Sequence, residues 1–438
     1  MAKASGFDIL IVGAGVLGAA TAYWLSGLYD CTIALADSAQ RPGAHTSSRN
    51  TGVIHRPYYL DPVKKRTFAR TALLSRRLWE SLAEAEALPW NPVGTYNVAV
   101  EDREVRTVEK YRAWGVENGM DEGEMDLLDG PGVRSREPEV RCRGALFSRT
   151  DVSVDFGAFT RSIWRRAVAR GVRFLQGREL VSVRKGEEGT EALFRSGSSL
   201  SSVRCRLLVN AAGGGALKIA HSLGYARDLA ALHFRGEYWV VDQPFASRVV
   251  SNIYRPPAFP QYPFLDPHFV VRADGSRQIG PNAVVVPGPY VYSGVGFTIL
   301  PRFLERPMWP KARLFANSDF LSLVVGEWRS SLSKQAMCAR VRMFVPALSP
   351  DLLNRRAVFG VRSSVVDRSG FIPEALLIKG ESSAHIINFN SPGATGAPAY
   401  SALVVNELRE AGLLDGFRPS SASASIPGWD FRAVTSQL

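Results

Sequence analysis

The chain has 438 residues, of which 46% are hydrophobic and 21% are charged. This is an ordinary globular composition with ample material for a core, and the length suggests two or three domains. The net charge of +12 comes from dispersed basic residues. It predicts a cationic surface that attracts small anions, without the clustered basic and aromatic tract that would indicate a nucleic-acid partner.

The cysteines and the apolar runs exclude several further classes of protein. Cys31, Cys142, Cys205 and Cys338 are scattered and form no CxxC pair, which argues against a zinc site and a disulfide framework, and we expect no bound metal. The apolar run at residues 7–12 is too short for a signal peptide, and no apolar stretch approaches the length of a membrane span. These features are typical of a protein of the reducing cytoplasm.

The first forty residues follow the order of a dinucleotide-binding βαβ unit. The apolar run at residues 7–12 leads into the turn Gly13-Ala14-Gly15-Val16-Leu17-Gly18, and a stretch that can form a helix follows at 19–25. A second apolar run at 31–36 ends at Asp37. Strand, glycine turn, helix, strand and acid in this order predict a nucleotide site.

Each residue of this motif has a physical role in such a site. Gly13 permits the tight turn, Gly15 has no side chain to hold the backbone away from a pyrophosphate, and Gly18 lets the helix lie close to the strand. The helix N-terminus then presents free N–H groups to the phosphates. Asp37 can accept hydrogen bonds from a ribose diol.

Beyond residue 40, apolar spacing and turn residues predict the remaining elements. Helices are expected at residues 61–86, 103–117, 157–169, 334–344 and 399–410. Strands are expected at 94–100, 171–175, 206–213 and 384–390, a hairpin at 181–184 with 192–195, and strands of a separate sheet at 238–241 and 278–286. Gly130-Pro131-Gly132 predicts a turn, and the Ser/Ala-rich stretch at 420–425 predicts a mobile tail.

The nucleotide could belong to a nicotinamide dehydrogenase or to a flavoprotein. A nicotinamide enzyme would continue with further βα units directly after Asp37, whereas this chain enters an Arg/Ser/Thr/Asn-rich segment at residues 43–52. Glycine turns near 208–213 and 391–396 provide further loops that could approach a long ligand. These features favour FAD, which is long enough to need several such contacts.

Four groups of residues carry a resemblance to a known family. They are residues 45–55 with Tyr58-Tyr59; 234–238; 263–265 with 268–269, 274–276 and 280–284; and 329–334 with 360–362 and 391–395. In this order they resemble the D-amino-acid-oxidase-type FAD-dependent oxidoreductases, and within them the L-2-hydroxyglutarate dehydrogenases and oxidases. The resemblance runs from about Phe7 to Glu410.

The resemblance implies an α/β fold with two interleaved domains. A Rossmann-like FAD-binding domain of the GR2/DAO type would be assembled from residues 1–90, 141–220 and 346–415. An α+β substrate domain built on a mixed sheet would take residues 91–140 and 221–345. Residues 416–438 would form a C-terminal tail.

The resemblance also implies that FAD is bound, and we expect this binding to be non-covalent. Gly393 and Thr395 are expected at the edge of the flavin ring, where N–H groups at a helix start can stabilise negative charge. The expected cofactor-binding residues are Gly13, Gly15, Val16, Leu17, Gly18, Asp37, Ser38, His45, Thr46, Ser47, Arg49, Asn50, Thr51, Gly52, Ala211, Ala212, Gly213, Pro392, Gly393, Ala394 and Thr395.

Two histidines are candidates for the general base, and two arginines are catalytic candidates. His55 and His268 each lie in a segment that the resemblance places beside the flavin or the substrate, and imidazole suits proton transfer near neutral pH. Either could instead only pack there. Arg235 and Arg362 could hold a substrate carboxylate through paired charge-assisted hydrogen bonds, although Glu237 could neutralise Arg235.

Further substrate contacts are expected from Arg56, Tyr254 and Asn282. The chain departs from the family pattern where the substrate should lie. Arg56-Pro57 replace small residues, Ser364 replaces a glutamine, and Asp266-Pro267 replace a glycine and an apolar residue. An extra arginine would suit another dicarboxylate or a phosphate ester as well as 2-hydroxyglutarate.

The sequence thus predicts an enzyme that oxidises a small anionic 2-hydroxy acid by hydride transfer to FAD, with L-2-hydroxyglutarate favoured. The alternatives are an FAD-dependent glycerol-3-phosphate dehydrogenase and an amine oxidase of the glycine-oxidase kind. A flavin-containing RNA-binding protein is a third hypothesis, prompted only by the net charge. The electron acceptor stays open among oxygen, a quinone and a carrier, and a quinone would require peripheral contact with the inner face of a membrane.

Overall fold

The computed structural model of the chain describes residues 5–186, 189–264, 266–294, 307–420 and 426–438. Within these ranges the helices of five or more residues are α1 (Val16–Leu28), α2 (Arg66–Glu86), α3 (Asp102–Glu117), α4 (Gly130–Arg136), α5 (Phe156–Ala169), α6 (Ala216–Ser222), α7 (Trp309–Phe315), α8 (Ser318–Leu332), α9 (Lys334–Arg342), α10 (Gly393–Glu410) and α11 (Phe431–Thr435).

The strands divide among three larger sheets and two isolated pairs. In chain order they are β1 (Ser5–Val12), β2 (Tyr29–Asp30), β3 (Ile33–Ala36), β4 (Val53–Ile54), β5 (Thr95–Ala99), β6 (Met125–Asp129), β7 (Gly144–Ser148), β8 (Val152–Ser153), β9 (Arg173–Leu175), β10 (Glu179–Gly186), β11 (Gly189–Ser196), β12 (Ser199–Asn210), β13 (Ala230–Gly236), β14 (Trp239–Val240), β15 (Asn252–Tyr254), β16 (His268–Val271), β17 (Arg277–Gly280), β18 (Val284–Val286), β19 (Arg355–Arg356), β20 (Gly360–Val366), β21 (Leu376–Lys379), β22 (Ser383–Ile387) and β23 (Arg418–Pro419).

The first sheet contains the predicted βαβ unit. Its strands run in the order β10-β11-β12-β1-β3-β9, with β22 also paired to β12 and β21 paired to β22. β12, β1, β3 and β9 are parallel, and α1 connects β1 to β3, as the dinucleotide motif requires. The apolar residues of β1 and β3 are almost completely buried, because helices cover the sheet.

The second and third sheets form the wall opposite the glycine turn. The second has the order β19-β14-β17-β16-β15-β5-β7-β6, and the third has the order β18-β13-β20. In the third sheet β13 is antiparallel to both neighbours, and Phe234 lies opposite Arg362. β7 and β19 join the second sheet from segments that the resemblance assigns to the FAD domain, so the domain boundaries stay a prediction.

Most predicted elements are confirmed in type, but several differ in type or extent. The helix expected at 61–86 begins at Arg66, and the strand expected at 206–213 is the end of the longer strand β12. Gly130-Pro131-Gly132 begins helix α4 instead of forming a turn, because the Asp129 side chain accepts a hydrogen bond from the Gly132 N–H and a proline is tolerated in the first turn. The expected strand at 278–286 is split into β17 and β18 in different sheets. Gly280 has a φ of +136° there, and Pro281 has no N–H for the ladder.

Helix α10 begins six residues earlier than predicted. Residues 391–396, with one proline and two glycines, predict a turn. Pro398 lies inside the helix and has no N–H for its ladder, yet the helix extends back to Gly393. The extension brings the N-terminus of α10 to the cleft described below.

The expected C-terminal tail is largely packed against the first sheet's helices. Trp429 is 1% exposed, its ring stacks on Trp24 at 5.3 Å, and its indole N–H donates to the Leu78 carbonyl at 2.8 Å. β23 also pairs with β2. The Ser/Ala-rich stretch for which mobility was expected lies, from residue 421 to 425, outside the described residues.

Candidate active site

A single large cleft brings together the glycine turn, the 46–52 loop, the third sheet and the start of α10. Its volume is about 1660 Å³ when its open mouth is included. The predicted site residues that line it are Gly15, Val16, Leu17, Thr46, Ser47, Arg49, Asn50, Thr51, Gly52, His55, Ala211, Gly213, Tyr254, His268, Asn282, Arg362, Pro392, Gly393, Ala394 and Thr395. Gly13, Gly18, Asp37, Ser38, His45, Arg56, Ala212 and Arg235 are not among the lining residues.

The glycine turn is shaped by close backbone packing. A Cβ atom on Gly13 or Gly18 would lie closer than 3.0 Å to a backbone oxygen, that of Ala211 for Gly13 and that of Gly13 for Gly18. Gly13 also has a φ of +106°, which disfavours other residues. At Gly15 the nearest atom would be the Ser47 Oγ at 3.2 Å, so this position faces the cleft and leaves room for a ligand.

Asp37 holds this turn in place from the end of β3. Its carboxylate accepts the Ala14 N–H at 2.6 Å and the Ala39 N–H at 2.8 Å. The carboxylate has further acceptor capacity, so its predicted contact with a ribose stays a prediction. Through its hydrogen bond to the Ala14 N–H, Asp37 stabilises the glycine turn itself.

The 43–52 loop is fixed by hydrogen bonds to its own backbone and to the third sheet. The Arg49 guanidinium lies 4.2 Å from the Tyr292 ring centre and donates to the Phe359 carbonyl at 3.3 Å. His45 Nδ1 is 2.9 Å from the Tyr292 hydroxyl. These contacts make Arg49 and His45 supports of the loop, which places Thr46, Ser47 and Asn50 along the cleft.

Two helix N-termini meet the cleft. α1 begins at Val16, whose N–H donates to the Ser47 hydroxyl at 2.9 Å. α10 begins at Gly393 and has no side chain capping its first turn. Free N–H groups and the positive end of the helix dipole favour anions at both places. Together with the cradle at Gly13, Gly15 and Gly18, these features fit the pyrophosphate and the reducible ring of a flavin dinucleotide.

His55 is oriented by a buried carboxylate. It follows β4 directly, and its Nδ1 is 3.2 Å from Asp151 Oδ2. Its ring lies edge-on between Tyr59 and Tyr254, with ring centres 5.8 and 5.5 Å away. The backbone N–H of His55 donates a hydrogen bond to the Thr395 hydroxyl at 3.2 Å, which connects this candidate base to the start of α10.

His268 lies beside His55 but in a different environment. Its ring stacks on Tyr254 at 3.8 Å, and its Nδ1 is 3.1 Å from the Asp266 carbonyl oxygen. Burial lowers the pKa of His268 to about 3, so the ring is neutral near pH 7. Its Nε2 and the Tyr254 hydroxyl are buried and have no hydrogen-bond partner among the described residues, which leaves both available to a ligand in the cleft.

Arg362 and Arg49 are the cationic side chains among the described residues that line the cleft. The Arg362 guanidinium donates to the Pro263 carbonyl oxygen and forms no ion pair with a described carboxylate. Burial lowers the pKa of Arg362, an effect opposed by the nearby Tyr238 and Tyr59 phenols, but a guanidinium stays charged in proteins. Arg362 is half-buried, and a cation partly removed from water without a carboxylate partner favours an anionic ligand.

The other predicted anion-binding arginines are engaged elsewhere. Arg235 is 4% exposed and forms an ion pair with Glu237 at 2.7 Å. In the structure, Glu237 therefore neutralises Arg235, which is the alternative raised from the sequence. Arg56 pairs with Glu124 at 2.7 Å. The Asn282 side chain lines the cleft, but its Oδ1 accepts the Glu237 N–H at 2.9 Å. Substrate contacts by Arg56, Arg235 and Asn282 stay predictions, and these bonds argue against direct roles for the two arginines.

Three residues of the site were not found by sequence reasoning. Asp151 lies 96 positions after His55 in a loop without a motif, and only the fold brings them together. Tyr59 was noted for the resemblance alone, and its buried hydroxyl has no partner among the described residues. Tyr238 bonds the Thr51 hydroxyl at 2.9 Å. A Tyr-Tyr pair after His55 was the one available indication that phenols lie beside it.

Comparison with known proteins places this cleft in a family. Residues 8–407 match the profile of the family described as FAD dependent oxidoreductase, abbreviated DAO. The chain belongs to the DAO family of FAD-dependent oxidoreductases. The cofactor of this oxidoreductase is FAD, as the cleft and the motif predict, and the α/β fold with a Rossmann-like FAD-binding domain and a substrate domain is confirmed.

Curated relatives of the oxidoreductase cover nearly its whole length. L-2-hydroxyglutarate dehydrogenase of Escherichia coli K12 is 27% identical over 432 residues, which is 98% of this chain and 97% of the relative. The mitochondrial L-2-hydroxyglutarate dehydrogenase of Homo sapiens is 25% identical over 93% of this chain and 90% of the relative. The predicted resemblance is confirmed at this level of identity.

Solved structures share the fold at lower identity. Reduced L-α-glycerophosphate oxidase from Mycoplasma pneumoniae, with FAD bound, has a TM-score of 0.72 at 21% identity, with 98% of both chains covered. Glycine oxidase from Geobacillus kaustophilus has a TM-score of 0.69 at 15% identity, with 96% of this chain and 97% of that chain covered. In the described part of the oxidoreductase, no helix is both long and apolar enough to cross a membrane.

Proposed function

We propose that this oxidoreductase oxidises a small anionic 2-hydroxy acid to the 2-oxo acid, with L-2-hydroxyglutarate as the favoured substrate. The observation that carries the proposal is Arg362, a half-buried cation on the cleft wall with no carboxylate partner among the described residues. The names of the full-length relatives support the choice of a 2-hydroxydicarboxylate among the possible anions.

Arg362 would hold the substrate carboxylate by charge-assisted hydrogen bonds. The Tyr254 hydroxyl and His268 Nε2 are both buried and unpartnered among the described residues, and they face the same part of the cleft. They would add neutral hydrogen bonds that orient the acid. Because burial lowers the pKa of His268 to about 3, this ring is a weak base and would act in positioning rather than as the acceptor of the substrate proton.

His55 would accept the proton of the substrate hydroxyl. Its Nδ1 is engaged by Asp151, so its other ring nitrogen remains for the substrate. FAD, when bound, supplies the acceptor for the hydride that leaves the substrate carbon. The packing of the ring between Tyr59 and Tyr254 would restrict its rotation and keep it aligned with the carbon that is oxidised.

Anaerobic reduction of the bound flavin tests the proposal. Purified holoprotein is mixed with L- and D-2-hydroxyglutarate, L-malate, L-lactate, glycine, D-alanine and glycerol 3-phosphate, and the loss of visible flavin absorbance is followed. We expect L-2-hydroxyglutarate to bleach the flavin fastest and its D-enantiomer to leave it oxidised. Bleaching by glycine or glycerol 3-phosphate, without bleaching by any 2-hydroxy acid, would replace this proposal with one of the alternative functions.

The electron acceptor can be identified independently of the substrate, with the same holoprotein. After reduction by the substrate, oxygen, a short-chain quinone and a soluble dye are added in turn, and reoxidation is timed. We propose a quinone at the inner face of a membrane as one acceptor, supported only by the net charge of +12. Faster reoxidation by oxygen than by quinone would instead indicate an oxidase.

A further inference from the structure

We propose that Asp151 is the positioning residue of the active site: it fixes the tautomer of His55 and balances the charge that His55 acquires. This inference rests on the proposed function, in which His55 accepts the substrate proton. Asp151 lies in the loop between β7 and β8, is completely buried, and is not a lining residue of the cleft. It therefore acts through His55 and does not touch the substrate.

Four donors surround the Asp151 carboxylate. Oδ2 is bonded to His55 Nδ1 at 3.2 Å and to the Thr95 hydroxyl at 2.9 Å. Oδ1 accepts the Arg56 N–H at 3.1 Å and the Ser148 hydroxyl at 2.6 Å. An ionised carboxylate can only accept hydrogen bonds, so it satisfies all four contacts when each neighbour supplies the proton. A buried carboxylate bonded in this way stays in place as a fixed anion.

The tautomer of His55 follows from this arrangement. Since the carboxylate only accepts, the shared proton lies on His55 Nδ1, and the lone pair of neutral imidazole lies on Nε2. His55 lines the cleft, so Nε2 is the nitrogen left for the substrate. The opposite tautomer would place a lone pair against the Asp151 oxygen and leave no acceptor for the substrate proton.

The proton transfer balances with FAD, when bound, as the acceptor of the hydride. The substrate O–H bond would break and its proton would go to His55 Nε2, while the hydrogen on the neighbouring carbon would leave with its electron pair and the carbonyl would form. His55 is then a cation next to the Asp151 anion, and it returns the proton to solvent after the product leaves. Asp151 remains ionised throughout, as in other histidine–carboxylate pairs.

Other ionisable groups face the pair and enter its pH dependence. Burial raises the pKa of the Tyr58 and Tyr59 phenols, and the negative charge of Asp151 raises both pKa values further. Both phenols therefore stay protonated across the working pH range. In the described part of the chain, further ionisable groups near the pair include Tyr254 on β15, His268 on β16, Arg362 on β20 and the Arg56–Glu124 ion pair. Tyr111 and Arg255 also line a small cavity together with His55.

Asp151→Asn tests the proposal against Thr95→Val as a matched control. Asn keeps the size of the side chain but removes its charge, whereas T95V removes one donor to the same oxygen and leaves the carboxylate. With substrate saturating, we expect D151N to slow flavin reduction by roughly 10²–10⁴-fold and T95V to slow it by less than about fivefold. In D151N the acid limb of the pH–rate profile should move to lower pH, because the protonated ring loses its counter-ion.

The tautomer is also measured without turnover. In protein labelled with ¹⁵N-histidine, the His55 signals are assigned from their absence in His55→Gln. We expect an Nδ1–H, Nε2-lone-pair pattern in the wild type and in Asp151→Glu, and a loss of that pattern in D151N. This measurement decides the proposal even where D151N folds poorly, since an Nε2–H tautomer in the wild type overturns it.

The outcomes distinguish this inference from the proposed function. If no 2-hydroxy acid reduces the wild-type flavin, the proposed function fails, while the tautomer measurement still decides the link between Asp151 and His55. If the wild type is active and D151N matches T95V in rate, in acid limb and in tautomer, Asp151 is a structural residue only and the inference is overturned.

Discussion

At the scale of single residues, removal from water has different consequences for Arg362 and His268, two polar groups that line the cleft. Arg362 is half-buried and keeps its charge, because a guanidinium holds its proton under all ordinary conditions. His268 loses its charge, because the pKa of an imidazole lies close enough to neutrality for burial to bring it to about 3. Arg362 therefore presents a fixed positive charge to the cleft, and His268 presents a neutral hydrogen-bonding ring.

Replacing Arg362 by methionine should weaken substrate use while leaving FAD bound. The loss of charge-assisted bonds to a carboxylate is worth about 3 kcal/mol, or roughly a 100-fold fall in kcat/KM, mostly through KM. Steady-state kinetics with a dye acceptor measures it.

The double variant R56Q/E124Q is the control for Arg362→Met, because that ion pair lies away from the cleft lining. It should stay within about threefold of the wild-type kcat/KM, since no charge that faces the substrate is removed. A similar KM increase in both proteins would show that Arg362 is not the carboxylate anchor.

His268 should make the protein less stable as the pH falls. The unfolded chain binds a proton on this residue below about pH 6.5, whereas in the folded protein the pKa of about 3 prevents it. From pH 6.5 down to pH 5 this difference lowers the free energy of unfolding by about 2 kcal/mol. Denaturant unfolding of H268N at fixed FAD concentration should therefore lose about 2 kcal/mol less than the wild type over that range. Equal losses would contradict the burial of a neutral ring.

At the scale of elements, the β1–α1 turn is where the sequence predicted structure best. A Gly18→Ala substitution places a methyl group closer than 3.0 Å to the Gly13 carbonyl oxygen, so α1 must move away from the first sheet. We expect purified G18A to lose most of its bound FAD, measured by the ratio of visible to ultraviolet absorbance.

Gly123→Ala is the matched control for Gly18→Ala, because an added Cβ there meets no atom within 4 Å. It should retain FAD in the same amount as the wild type. Full occupancy in G18A would mean that the close contact between helix and turn is not required for FAD binding.

Local patterns indicated many residues that line the cleft but did not indicate the carboxylates that orient or neutralise the polar residues, for a physical reason. The glycine turn, the 46–52 loop and the start of α10 each carry their function in consecutive residues, so spacing alone indicates it. The state of a buried arginine depends on whether a carboxylate is close in space. Arg56 is neutralised by Glu124, 68 positions away, and His55 is oriented by Asp151, 96 positions away. Neither partner has a recognisable spacing along the chain.

Helix α4 shows the same limit for secondary structure. Gly130-Pro131-Gly132 has the composition of a turn, yet the Asp129 side chain and the tolerance of a first-turn proline favour a helix start. The capping residue Asp129 decides between a turn and a helix. A prediction based only on the glycine and proline content does not take this residue into account.

At the scale of the whole molecule, the C-terminal residues pack against helix α1, whose N-terminus is the predicted binding place of the FAD pyrophosphate. Trp429 packs on Trp24 of α1 and is 1% exposed. Trp429→Ala should lower the free energy of unfolding by about 3–5 kcal/mol and reduce FAD retention. Thermal unfolding followed by flavin fluorescence measures both.

Trp309→Ala is the matched control for Trp429→Ala, because Trp309 is 67% exposed. It should change the stability by less than about 0.5 kcal/mol. Equal effects of the two substitutions would contradict the packed C-terminal segment.

The packing of α1 against residues far along the chain has a consequence for biosynthesis. Strand β1 needs β12 as its neighbour, and the Trp24 indole N–H donates to the Pro398 carbonyl oxygen at 3.0 Å. At about 5–20 residues per second, the ribosome makes these partners of α1 up to roughly a minute after α1 itself emerges. We therefore expect the nascent amino-terminal unit to keep apolar faces uncovered, and to bind FAD only after translation has delivered its distant partners.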